Sequence, residues 1–115
     1  ILFFSIEFKS TKLADNIYVD LNSIEKNKIS VTGWFKEYNS DYNPAYDINV
    51  YYELIKYEAD CKEEVLDILH SKLYNKKGKL LKDEPDNYDV CAKYSGYING
   101  EIYFNALCKK TQNNI

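Results

Sequence analysis

A single histidine, His70, stands in a chain of 115 residues, and no nucleophile is marked beside it. Ser-His-Asp or Cys-His catalysis would have to be assembled from distant parts, so the expectation for His70 is a surface or half-buried imidazole. A cleft around it with close carboxylates would revive a small hydrolase. Glu63-Glu64 and Asp83-Glu84 read as solvated charge rather than as a glycosidase pair. There is no P-loop and no GxGxxG. The three cysteines form no CxxC and no Cys/His cluster, so neither a metal site nor a cofactor is expected. The expectation is a non-enzymatic protein.

Two cysteines carry the architecture instead. Cys61 closes Tyr57-Glu58-Ala59-Asp60-Cys61 at the end of a long alternating segment, and Cys108 lies in Ala106-Leu107-Cys108-Lys109, before a polar tail. A bridge between them would pin the C-terminal segment to the middle of a sheet and stabilise the fold by about 4 kcal/mol in the chain-entropy model. Pairing of Cys91 with Cys108 is the rival connectivity. Cys91 is otherwise free, buried or a dimer contact, so a homodimer is compatible with the sequence.

Lys72, Lys76, Lys77, Lys79 and Lys82 form a basic strip. Such a strip is usually the soluble tip of a hairpin; its functional reading is contact with an anion, such as a sulfated polysaccharide or an acidic protein patch. Lys109 and Lys110 compensate a helix C-terminus or capture a partner. Trp34, the only tryptophan, adjoins Phe35 on a strand. It is buried if the sheet is covered on both faces, and otherwise an exposed aromatic anchor.

These residues need a scaffold, and the composition is that of one folded domain: 45% hydrophobic and 29% charged. Twelve tyrosines point to a β-rich fold with some rings left for a binding surface, although tyrosine also accompanies Lys, Asn and Ile in AT-biased genomes. A net charge of −3 and a pI near 5.2 argue against non-specific nucleic-acid binding. No apolar run reaches the roughly 18 residues needed to span a membrane. The chain begins at Ile1 and has no Met, which suggests removal of a signal peptide or other upstream sequence.

Alternation predicts strands over 1–9, 17–19, 28–38 and 48–60, with Gly33 marking a bulge or a close approach. Ser10 to Asn16 reads as a turn, Asp20 to Ile24 as a tight turn or one helical turn, and Asn39 to Ala45 as a loop. Lys62 to Asn75 is ambiguous: local signals favour a helix, with Asp60 and Glu63 as a capping box before the stripe Val65, Leu66, Leu69 and Leu73, while a strand would leave both faces partly apolar. Leu80-Leu81 suits a short strand, Asp83 to Asp89 and Tyr94 to Asn99 loops, and Glu101 to Lys110 a helix with a frayed tail from Thr111.

With Ile17-Tyr18-Val19-Asp20-Leu21-Asn22-Ser23-Ile24, the strand to Trp34, Tyr57-Glu58-Ala59-Asp60-Cys61 and Cys108, the chain resembles the surface-adhesin protein E family of small exported bacterial proteins. The resemblance covers 1–75, with Cys108 in outlying support. Asp83 to Tyr88 stands where the family pattern has a tryptophan, and Cys91 is additional. The resemblance implies an α+β fold: an antiparallel sheet of about six strands with a C-terminal helix tethered by a Cys61–Cys108 disulfide. It also implies that Lys62 to Asn75 is a strand, and we adopt strand over the local signal for the first part of that segment.

The resulting expectation is an exported, adhesin-like binding module at the periplasm or cell surface, contacting a protein or polysaccharide. The second expectation is a cytosolic immunity or inhibitor protein that covers a basic toxin. Acidity and abundant tyrosine suit that role, which requires reduced cysteines.

Overall fold

The computed structural model describes residues 10–45, 49–85 and 91–112. Its strands are β1 (Ser10–Ala14), β2 (Ile17–Asp20), β3 (Glu25–Lys26), β4 (Val31–Tyr38), β5 (Tyr52–Asp60), β6 (Val65–Tyr74), β7 (Leu80–Pro85) and β8 (Cys91–Lys93), followed by helix α1 (Gly100–Gln112). The fold is α+β, an antiparallel sheet with one C-terminal helix. Six strands follow one another in the order β1-β2-β4-β5-β6-β7, while short β3 pairs with β4 and β8 with β6.

Alternation explains the central ladder. Val31, Gly33 and Phe35 of β4 lie opposite Ala59, Tyr57 and Ile55 of β5, and all of them turn toward α1. The helix buries Tyr103, Phe104, Ala106, Leu107 and Cys108 against them. Ile17 and Val19 of β2 and Leu66 of β6 complete this core. The Cys61–Cys108 disulfide ties α1 to the end of β5 across a sequence separation of 47, with the Cα atoms 5.6 Å apart. This connectivity displaces the Cys91–Cys108 alternative.

Gly33 marks a close approach by α1. A Cβ there would stand 2.9 Å from Leu107 Cδ2 and 3.2 Å from Ile24 Cγ1. A Gly33→Val substitution is therefore expected to cost about 1–3 kcal/mol in urea unfolding. Gly33→Ala should cost less, because the Leu107 methyl can rotate aside. Equal stability of all three proteins would show that the helix does not sit this close.

The Asp20 to Ile24 expectation holds. Leu21–Ser23 form one 3-10 turn capped by Asp20, whose carboxylate accepts from Asn22 N at 3.0 Å. Ser23 Oγ donates to Asp20 O at 2.6 Å and accepts from Trp34 N at 2.8 Å, which locks this turn onto β4.

Four local readings need correction. Ser10 to Asn16 is mostly strand β1, paired with β2. The locally helical 65–74 segment is strand β6, as the family resemblance implies. Asp60 Oδ1 does accept from Glu63 N at 3.0 Å, but Glu64 then takes φ 57° and the chain doubles back as a hairpin. A register shift pairs Lys56 with His70 and Tyr57 with Ile68, so Leu69 is the extra residue of a bulge. The bulge switches the parity of β6: Leu66 and Ile68 face the helix before it, Ser71 and Leu73 after it. That is why both faces look apolar in a simple alternation. Asp83 to Pro85 belong to β7, where the proline sits on an edge strand and interrupts no central ladder. Finally, 91–93, unassigned from sequence, pair with β6 as β8. Helix α1 runs through Gln112, past the frayed tail expected from Thr111, and the expectations for 1–9, Ile48, 86–89 and 113–115 lie outside the described residues.

Candidate ligand-binding face

Among the described residues the face of the sheet opposite α1 carries no helix, and it is built from the alternate residues of the same strands. Register lines them up in three rows. Tyr38, Tyr52 and Tyr74 lie opposite one another; Tyr18, Lys36, Leu54, Lys72 and Asp83 form the next row; Trp34, Lys56 and His70 the third. Adjacent strands lie about 4.8 Å apart, so the four strands from β2 to β6 spread this surface over about 14 Å.

The rings form a continuous chain. Tyr18 meets Tyr38 edge-on at 5.9 Å, Tyr38 meets Tyr52 at 6.0 Å, and Tyr52 stacks on Tyr74 at 4.8 Å. Tyr51, just before β5, extends the cluster to Tyr42 in the 39–45 loop, with centroids 5.0 Å apart. Lysines interleave with the rings. Lys36 Nζ stands 4.3 Å from the Tyr52 centroid and 5.0 Å from that of Tyr38. Lys72 Nζ lies 5.8 Å from Trp34, and Lys76 Nζ 6.0 Å from Tyr42. Each ammonium thereby lies within reach of an aromatic quadrupole, with Lys36 and Lys72 half-buried and Lys76 exposed. Packing raises the Tyr52 pKa through desolvation, opposed by Lys36, so the phenol stays a neutral donor.

Charge is segregated along the strands. At the other end of the same face Glu58 lies opposite Asp67, and the carboxyl of Asp67 is pushed up by burial and then by Glu58. The net charge of −3 therefore conceals a cationic, aromatic end and an acidic end.

Trp34 is half-buried on this open face, tilted against the His70 ring at 5.2 Å, while Phe35 is fully enclosed on the other. The basic strip divides. Lys72 and Lys76 join the rings. Lys77 and Lys79 stand exposed at the β6–β7 turn, where Asn75 Oδ1 accepts from both backbone N–H groups. Lys82 pairs with Glu84 at 2.6 Å. Lys109 is exposed on α1, behind the sheet, and Lys110 continues that helix.

His70 is half-buried and its Nε2 lies 2.5 Å from Asp83 Oδ1. A carboxylate is thus close, but His70 lines neither the cavities near Ile29 nor the one near Asn39. Among the described residues no group of three His, Cys, Asp or Glu is placed to hold a metal ion, and no helix is long and apolar enough to cross a membrane.

The sequence did not single out Tyr18, Lys36, Tyr38, Tyr52, Lys56 or Tyr74. Part of the signal was available in the period of two: Tyr18, Lys36 and Lys56 each adjoin a core position, Val19, Phe35 and Ile55 respectively.

Fold and surface together define a disulfide-tethered sheet-and-helix domain with one open aromatic–cationic face. Comparison of the chain with models of protein families, with curated proteins and with solved structures finds no match.

Proposed function

We propose that the chain is an exported, non-enzymatic binding module of the surface-adhesin E kind, and that its open sheet face engages an anionic macromolecule at a cell surface. The observation that carries this reading is the interleaving of Lys36, Lys72 and Lys76 with Tyr38, Tyr52, Trp34 and Tyr42. Rings offer flat apolar faces for sugar rings, and the ammonium groups between them suit sulfate or carboxylate. A sulfated polysaccharide meets both requirements in one ligand. The Cys61–Cys108 bridge supports an oxidising compartment and weighs against the cytosolic immunity reading, which needs free thiols.

Retention on immobilised heparin tests the proposal. The protein should bind at low ionic strength and elute as salt rises, since the contacts are partly exposed ion pairs. Lys36→Glu combined with Lys72→Glu should weaken binding by about 100-fold, equivalent to about 3 kcal/mol for two reversed charges. Lys77→Glu with Lys79→Glu, at the hairpin tip, should matter much less. Failure of the unsubstituted protein to bind, or equal losses in both pairs, would overturn the assignment.

A further inference from the structure

The open face holds a group that can change charge near neutral pH. Histidine is the side chain whose ordinary charge change falls between about pH 5 and 8, and His70 is the only one in the chain. It stands in the row of Trp34 and Lys56, with its ring 5.2 Å from that of Trp34. Its Nε2 meets Asp83 Oδ1 at 2.5 Å. The side chain keeps 25% of its surface in water, so protons reach it from solvent.

Register makes this contact more than a local pair. Asp83 lies opposite Lys72 in the β6–β7 ladder, where opposite charges usually pair directly. The carboxylate instead goes to His70, and Lys72 Nζ lies 5.8 Å from the Trp34 centroid. His70 and Lys72 are thus rivals for one carboxylate, and Trp34 lies against both. The same ladders place the other charged groups around the imidazole. Lys56 of β5 is opposite His70, and the next row toward the acidic end holds Glu58 of β5 and Asp67 of β6. Strand β4 brings Trp34 to the His70 row and Lys36 to the Lys72 row.

We propose that His70 is a pH switch on the open face, which holds an anionic ligand more tightly as pH falls from about 8 to about 5.5. The inference rests on the reading of that face as a polyanion site. While the imidazole is neutral, its bond to Asp83 lacks charge assistance, and the carboxylate can draw the Lys72 ammonium off Trp34. A proton on His70 turns the bond into an ion pair and keeps Asp83 away from Lys72. The face then gains one positive charge beside Trp34 and retains Lys72 for the ligand. Both changes favour an anion, so affinity rises with protonation.

The test measures the affinity of the oxidised protein for a heparin-derived oligosaccharide at both ends of this pH range, at constant ionic strength. The sulfate and uronate groups stay ionised throughout, so a change in affinity comes from the protein. Binding should tighten by about fivefold, the worth of one partly exposed ion pair. Without ligand, Trp34 emission should show a transition in the same range, because its ring meets the imidazole, and the midpoint should match that of the affinity change. His70→Gln, which keeps an N–H for Asp83 but takes up no proton, should abolish both. Asp67 is the rival titrating group on this face, since burial and then Glu58 push its carboxyl up. Asp67→Asn should leave both changes in place.

Equal affinity at the two pH values, or a response that survives His70→Gln, would overturn the switch and leave the face as a binding site. Absence of binding at both pH values would overturn the reading of the face and the switch with it. The two midpoints are compared in the unsubstituted protein, and a mismatch between them would overturn the switch even if a variant fails to fold.

Discussion

Replacing Cys61 and Cys108 together by alanine is expected to lower the unfolding free energy by about 4 kcal/mol, the loop-entropy value for a closed segment of this length. The sequence separation of 47 sets that figure. Domains of this size usually hold about 5–15 kcal/mol in all, so the loss is a large share of the total. The bridge joins α1 to the end of β5, and α1 covers the side of the sheet on which Phe35, Ile55 and Tyr57 are enclosed. Urea unfolding with and without reductant measures the effect, and the double alanine variant removes thiol chemistry from the comparison. A difference below about 1 kcal/mol would mean that packing alone holds the helix.

Phe35→Ala should be comparably damaging, costing about 3–5 kcal/mol. Phe35 is 0% exposed and touches Tyr57 and Tyr103 edge-on, with centroids 5.7 and 5.0 Å away. It also stands opposite Val19 on one side and Ile55 on the other. Its removal leaves a void at the junction of three strands and α1, and the backbone ladder prevents the sheet from closing over it. Trp34→Ala, one residue along, should cost far less, because that ring is only half-buried on the open face. A comparison of the two midpoints in urea checks the claim that the sheet has one covered and one open side. Equal losses would contradict it.

The parts of this fold that were legible in the sequence share a cause. β4 and β5 alternate cleanly over most of their lengths, α1 repeats at helical spacing, and Gly33 interrupts a strand for a steric reason. Local pattern and tertiary structure agree in these segments. Where they disagree, a specific long-range feature decides. The bulge at Leu69 switches the parity of β6 and makes a strand resemble a helix, and Asp60 caps a turn with the same bond it would use to cap a helix. Asp83 and Glu84 look like loop charge until β7 is seen at the sheet edge.

The open face was harder to read because it depends on cross-strand register. Tyr38, Tyr52 and Tyr74 are scattered over 37 positions in the chain, yet they share one row. Lys72 was singled out, but for the strip it forms with Lys76 to Lys82 rather than for Trp34 beneath it. Glu37 and Glu53 are unremarked single acids in sequence, and only the β4–β5 ladder makes them a like-charged pair. Burial, more than any neighbouring charge, then pushes the Glu53 carboxyl up, with Glu37 and Glu84 adding to it and Ser71 opposing.

The open face can be tested through its own chromophore. Trp34 is the only tryptophan and lies among the proposed binding residues, so its emission reports contact there without labelling. Heparin-derived oligosaccharides titrated into the oxidised protein should change that emission saturably, with an affinity that falls as salt rises and collapses in the Lys36→Glu, Lys72→Glu variant. Unchanged Trp34 emission at concentrations where the protein demonstrably binds the oligosaccharide would place the ligand elsewhere and contradict the assignment of this face.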